Sequence, residues 1–264
     1  MTVEVSKEKL KKEGYTWFDL KEFDYEFYKW LLPFQCNEEK NLKKYFDTLR
    51  ADSASYNGNA FTAFKETFDT HYDALTKKNE LLNLVKNNNH TDSVNKLLGG
   101  NGNIKPDKIR ISQMWYFSDL NRIVNEDGEI DKFKNYVKNI MMYFFDFNET
   151  QEYSFFSPMF TYYDEGCVLQ NHSDGTGTGR ICALLIYLNE TYDENDGGIL
   201  VLNNTERVVP TFGKVAIIDL QSFDIKHMVT QVTGGIGRYA ILSFIKKKED
   251  ESINSLEDRE KTLM

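Results

Sequence analysis

From about Ser154 to Ile245 the chain is a succession of short runs rich in β-branched and aromatic residues, separated by turn-forming residues. SFFSPMFTYY, RICALLIYL, ILVL, ERVVPT, KVAIIDL, HMVTQV and RYAILSFI follow one another. Gly175 to Gly179, Asp193 to Gly198, Asn203–Asn204 and Gly234 to Gly237 punctuate them. Many short strands at this spacing mean a sandwich or barrel rather than βαβ units.

The N-terminal half reads differently, as mixed and mostly helical. A helix is expected from about Tyr25 to Leu32. Another is expected from Asn59 to about Asn87, where Phe61, Phe64, Phe68, Tyr72, Leu75, Leu82 and Val85 recur at helical intervals. NNNHTD (87–92) and GGNGN (99–103) are loop compositions. Lys108 to Phe117 reads as a strand, and Glu129 to Phe145 as a helix with Ile130, Phe133, Val137, Ile140 and Phe144 on one side. The expected organisation is a mainly helical region over 1–150 that packs on a β core over 151–246, followed by a charged tail over 247–264. The fold class is an all-β core with helical support (α+β).

Composition closes off several classes. The longest apolar runs, such as Ile181 to Leu188, fall short of the ~20 residues a membrane helix needs. The opening MTVEVSKEKLKKEG has no apolar h-region and is not a secretory signal. Three cysteines (Cys36, Cys167, Cys182) without CxxC spacing read as reduced thiols of a cytoplasmic protein. A formal net charge of −9 with no basic patch in the sequence argues against a nucleic-acid partner.

Histidine is scarce, with four in the chain at 71, 90, 172 and 227. His71 and His90 read as a helix residue and a loop residue. His172 and Asp174 form an H-x-D pair at the end of a strand, where residues two apart point to the same side. His227, opening HMVTQV, can supply a third ligand from a distant strand. Two imidazoles and a carboxylate on one face of an iron ion leave the opposite positions open. The H-x-D pair is a weak signal by itself. Arg238, inside the apolar run RYAILSFI, strengthens it: a buried arginine needs a partner, and its fork suits a carboxylate.

HSDGTGTGRICALLIYLNETYDENDGGILVLN and then HMVTQVTGGIGRYAILSFI resemble the prolyl 4-hydroxylase branch of the 2-oxoglutarate/Fe(II) oxygenases. Within that branch the text is similar to cytoplasmic oxygen-sensing prolyl hydroxylases and their bacterial relatives. The likeness covers roughly residues 160–246, with H-x-D, a GR entering the next strand, IYLN, a DGG turn, V-P-x-F, then H and an RYAI-type arginine in family order. It implies a double-stranded β-helix (jelly-roll) core. It also implies Fe(II), 2-oxoglutarate and O2, with ascorbate as a stimulant, and oxidative decarboxylation of 2-oxoglutarate coupled to hydroxylation of a C–H bond.

By the same resemblance His172, Asp174 and His227 match the iron ligands, and Arg238 matches the residue that pairs with the distal carboxylate of 2-oxoglutarate. Tyr187 matches a tyrosine that hydrogen-bonds that carboxylate. Tyr162 lies where related hydroxylases place a tyrosine near the metal-bound end of the co-substrate, whereas a Y-x-x-G register would choose Tyr163. Many members carry a tyrosine three residues before the first histidine; here that position is Leu169. The carboxylate at 174 favours hydroxylation over halogenation. Phe244 stands where nucleic-acid demethylases of the superfamily have a second arginine. Prolyl hydroxylation of a peptide or protein is the first expectation, a free amino acid or other small molecule the second. An inactive jelly-roll binding protein is the reading from another class. Gly197–Gly198 read as turn chemistry, and Gly175 to Gly179 as a turn or as a mobile loop over the substrate.

Overall fold

The computed structural model describes residues 1–38, 110–111, 113–116, 129–148, 153–163, 165–174 and 179–247. The helix expected over 59–87, His71, His90, the loops at 87–92 and 99–103, residues 175–178 and the tail from 248 lie outside the described residues.

Two antiparallel sheets face each other. One contains β1 (Tyr15–Asp19), β3 (Gln113–Tyr116), β4 (Tyr153–Tyr163), β6 (Arg180–Tyr187), β9 (Lys214–Asp219) and β11 (Arg238–Lys247), in the order β1-β9-β6-β11-β4-β3. The other contains β2 (Arg110–Ile111), β5 (Val168–His172), β7 (Leu200–Leu202), β8 (Glu206–Val208) and β10 (His227–Val229), in the order β2-β5-β10-β7-β8. The strand spacing predicts a sandwich or barrel and the family resemblance implies a jelly roll, and these two antiparallel sheets fit a jelly-roll core.

The central strands of the six-stranded sheet are buried on both faces, which is why they read as continuous apolar runs. In β6, Cys182, Leu184 and Ile186 point to an outer core, while Ala183, Leu185 and Tyr187 point between the sheets. In β11, Tyr239, Ile241 and Ile245 take the outer face and Ala240, Leu242 and Phe244 the inner one. Strand alternation therefore places Arg238 on the inner face, between the sheets.

Helices cover the outer face. α1 (Val3–Glu13) starts on a Thr2 cap and ends at Gly14 in a left-handed conformation. α2 (Leu20–Phe23) and α3 (Tyr25–Leu31) begin on Asp19 and Asp24, whose carboxylates accept backbone N–H groups. α4 (Glu129–Phe144) buries Phe133, Val137, Ile140, Met141 and Phe144 along one stripe. Phe144 stacks on Phe18 with ring centroids 4.7 Å apart, and Tyr136 stacks on Phe27 at 4.5 Å.

Strand β1 lies in the half of the chain whose sequence reads as mixed and mostly helical. It closes the β9 edge of the large sheet, with Tyr15 opposite Ile218 and Asp19 opposite Lys214. The Trp17 indole N–H donates to Glu206 at 2.8 Å, and Lys9 pairs with the same carboxylate at 2.8 Å. These contacts tie α1 and β1 to β8 in the opposite sheet.

Candidate functional site

The cleft between the sheets is lined by Thr161, Tyr163, Leu169, His172, Asp174, Ala183, Leu185, Leu200, Ile218, His227, Val229, Arg238, Leu242 and Phe244. Apolar side chains make up most of the wall. The polar groups gather at His172, Asp174 and His227 and at Arg238.

His172 ends β5 and His227 opens β10, and the two residues are direct partners in the ladder between them. The ladder also pairs Leu169 with Val229, so three residues of β5 span two of β10. This bulge has a consequence for facing. In a regular strand Leu169 and His172 would point to opposite faces, yet both line the cleft. Asp174 lies beyond the end of β5, with no regular backbone structure, so irregular chain rather than strand alternation brings its carboxylate to the histidines.

The Nε2 atoms of His172 and His227 lie 3.8 and 3.7 Å from the two carboxylate oxygens of Asp174. One donor atom from each of the three residues lies within 4.8 Å of the others, and among the described residues this is the one such group. The separations are too long for direct hydrogen bonds, but they suit donors that share an ion between them. Both histidines are buried. His227 Nδ1 sits 3.3 Å from the Ile225 carbonyl. With its proton there, Nδ1 donates to that oxygen and leaves Nε2 with a lone pair toward Asp174. A borderline or hard divalent ion such as iron fits this N2O set.

Arg238 is 1% exposed. Its guanidinium carbon lies 5.0 Å from the ring centroids of both Tyr163 and Tyr187, and Nη2 is 3.5 Å from the Tyr187 hydroxyl. Its Nε has no hydrogen-bond partner, and no acidic side chain pairs with it, among the described residues. A buried cation left in this state is costly unless a ligand supplies the anion. Burial pushes the Tyr187 phenol above its ordinary pKa despite the nearby guanidinium, so the hydroxyl stays protonated and can donate.

The structure separates the two adjacent tyrosines. Tyr163 is on the inner face beside Arg238 and lines the cleft. Tyr162 is on the outer face, stacked on Tyr239 at 4.5 Å, so it is not at the site. At the cleft's rim the Arg180 guanidinium lies 4.2 Å from the centroid of Phe244. Burial lowers the Arg180 pKa, against the attraction of Asp174. Sequence reasoning missed Arg180 as an individual residue, although the GR of the motif marks it.

Residues 158–246 match the family described as 2OG-Fe(II) oxygenase superfamily. Among solved structures the chain is similar to a Pseudomonas putida prolyl-4-hydroxylase, at 14% identity and a TM-score of 0.49, over 93% of this chain and 99% of that one. It is similar to a Trichoplax adhaerens prolyl hydroxylase crystallised with a hypoxia inducible factor peptide fragment (17% identity, TM-score 0.45, 72% of this chain and 99% of that one). A viral collagen prolyl hydroxylase from Paramecium Bursaria Chlorella virus-1 matches at 18% identity and TM-score 0.42, over 52% of this chain and 80% of that one. No curated protein matches the sequence. All the side chains that line the cleft fall within 158–246, so the segment that matches the 2OG-Fe(II) oxygenase superfamily is the one that builds the site.

Proposed function

We propose that this protein hydroxylates prolyl residues of a peptide or protein, with His172, Asp174 and His227 as the ligands of Fe(II) and Arg238 as the partner of the distal carboxylate of 2-oxoglutarate. The observation that carries this reading is the distribution of polarity in one cleft. A cluster of three ligand side chains and a buried guanidinium with no acidic partner among the described residues share it, together with apolar side chains. A molecule with a metal-chelating end and a carboxylate at the other end satisfies both.

Bound iron(II), with 2-oxoglutarate and dioxygen, supplies the oxidising chemistry that attacks the C–H bond. The chain's own side chains do the rest. Arg238 neutralises and orients the distal carboxylate, and the protonated Tyr187 hydroxyl adds a hydrogen bond to it. Leu185, Leu200 and Ile218 are among the apolar side chains that keep the cleft dry, which strengthens both interactions. The Ile225 carbonyl holds the His227 ring so that Nε2 faces the metal position. In this reading 151–246 is the catalytic core and the region before it a buttress. Cys36, Cys167 and Cys182 are buried and in no disulfide among the described residues, which supports a reducing, cytoplasmic setting.

The prolyl assignment rests on the order of motifs over 160–246. Its test is incubation with Fe(II), 2-oxoglutarate and ascorbate, following succinate, then repetition with proline-containing peptides under mass spectrometry. Iron-dependent succinate that disappears in His172→Ala, with a mass gain of one oxygen on a peptide, is the expected result. Turnover that oxidises no peptide but does oxidise a free amino acid would replace the prolyl reading by the small-molecule one.

A further inference from the structure

Asn189 ends the run I-Y-L-N, two residues after Tyr187, and is fully buried. A buried side-chain amide is stable when both its ends are bonded. Its Nδ2 donates to the Gly237 carbonyl at 2.7 Å, and its Oδ1 accepts from the Tyr239 N–H at 2.8 Å. Those two groups stand on either side of Arg238. On one edge Arg238 is held by β4, opposite Tyr163. On the other edge the ladder to β6 begins only at Ala240, opposite Tyr187. Where β6 has ended, the Asn189 amide takes the place of the missing peptide group.

We infer that Asn189 is a positioning residue for the co-substrate. It fixes the backbone from Gly237 to Tyr239, and thereby the aim of the Arg238 guanidinium, and takes no part in metal binding. The inference rests on the reading of Arg238 given above.

Two features make such a clamp necessary. The head of Arg238 has little else to hold it: a 3.5 Å contact to a phenol, two ring faces at 5.0 Å and an Nε without a partner among the described residues. The strand also starts abruptly. Gly237 has φ +85°, and a Cβ there would meet the Tyr163 carbonyl oxygen at 2.7 Å, so the chain swings into β11 at a point only glycine tolerates. Asn189 itself is anchored, since its backbone bridges Cys36 on one side and Thr211 on the other. The clamp is thus fixed from the N-terminal segment and from the approach to β9.

The test is anaerobic calorimetry on the full chain with three probes. These are Mn(II) alone, then 2-oxoglutarate and 2-oxobutyrate added to the metal-loaded protein. The last keeps the chelating keto acid and lacks the distal carboxylate. In Asn189→Ala the Kd for 2-oxoglutarate should rise at least about tenfold, as for other residues that orient a ligand from behind. Mn(II) and 2-oxobutyrate should change by less than about twofold, the reproducibility expected of uncoupled sites. Asn189→Asp preserves volume and the acceptor for Tyr239 but sets an oxygen against the Gly237 carbonyl. It should show the same selectivity, and it serves if the alanine variant does not fold. In Arg238→Gln, adding Asn189→Ala should cost no further affinity. Equal losses on all three probes, or an unchanged affinity for 2-oxoglutarate, would overturn the inference. A wild-type protein that binds Mn(II) but not 2-oxoglutarate would instead overturn the reading of Arg238, and this inference with it.

Discussion

His172 and His227 are direct partners across the β5–β10 ladder, with ring centroids 4.3 Å apart and planes inclined at 49°. Both side chains face the cleft because the β5 bulge sets their register, and a slip of one residue would turn one imidazole to the other face. Replacing either histidine or Asp174 by alanine removes one of three donors. Since loss of a supporting contact alone weakens metal sites by about 10–100-fold, each variant should lose more than about a hundredfold in Mn(II) affinity, read by titration with electron paramagnetic resonance. Tight metal binding retained in all three would remove the site.

Metal and co-substrate bind the folded chain, so they should stabilise it. At a hundredfold excess over Kd the gain is about 2.7 kcal/mol. For a chain of this size each kcal/mol moves Tm by about 2–4 °C, so Mn(II) plus 2-oxoglutarate should raise Tm by roughly 5–10 °C in a thermal-shift assay. His172→Ala should show no such rise, and a chelator should reverse it in the wild type. A rise of equal size in His172→Ala would place the binding elsewhere.

Arg238 is buried without an acidic partner among the described residues, an arrangement that favours the ligand over the empty protein. Arg238→Met should therefore leave the ligand-free protein as stable as wild type, or more stable by up to about 2 kcal/mol. The same change should weaken 2-oxoglutarate by about 2–4 kcal/mol, which is roughly 30- to 1,000-fold in Kd. Denaturant melts and calorimetry on one preparation measure both. A variant that is strongly destabilised and still binds 2-oxoglutarate would make Arg238 a structural residue.

The strands from β4 to β11 were legible because their residue types and the turns between them are local signals. The cluster of His172, Asp174 and His227 was legible because histidine is scarce and metal chemistry demands a third donor beside an H-x-D pair. Strand β1 was not, since Tyr15 and Trp17 are directed to one core and Phe18 to the other. A segment apolar on both faces shows no alternation, and its strand conformation comes from pairing with β9, 195 to 203 residues away (214 − 19 and 218 − 15). Asp174 reaches the histidines from irregular chain beyond β5, which the two-residue periodicity of strands does not describe. Asn189 was overlooked although a signal existed: asparagine is a poor strand residue, and one at the end of an apolar run is a candidate for bonding to backbone.

Tyr162 and Tyr163 differ by one position and point to opposite faces of β4. Only Tyr163 lines the cleft, so Tyr163→Phe should weaken 2-oxoglutarate binding by about one hydrogen bond, 0.5–1.5 kcal/mol or roughly 2- to 10-fold. Tyr162→Phe should leave it unchanged, because that ring lies on Tyr239 in the outer core. The reverse ranking in calorimetry would mean that the register of β4 is other than described.

Tyr192 gives a prediction at alkaline pH. Its hydroxyl is buried with no hydrogen-bond partner among the described residues. Burial pushes the phenol up to about 12, against the opposing pull of Arg238. In the unfolded chain a tyrosine titrates near 10. Between pH 10 and 12 the native state therefore holds the proton that the unfolded state has released. The unfolded state binds fewer protons, so stability falls as pH rises through this window and is unaffected below it. Tyr192→Phe removes that titration and also the unsatisfied hydroxyl, whose burial is itself a cost. The variant should match or exceed wild-type stability at pH 7 and lose less stability than wild type between pH 10 and 12, in urea melts at each pH. Marked destabilisation at pH 7 would mean that the hydroxyl has a partner in the folded protein.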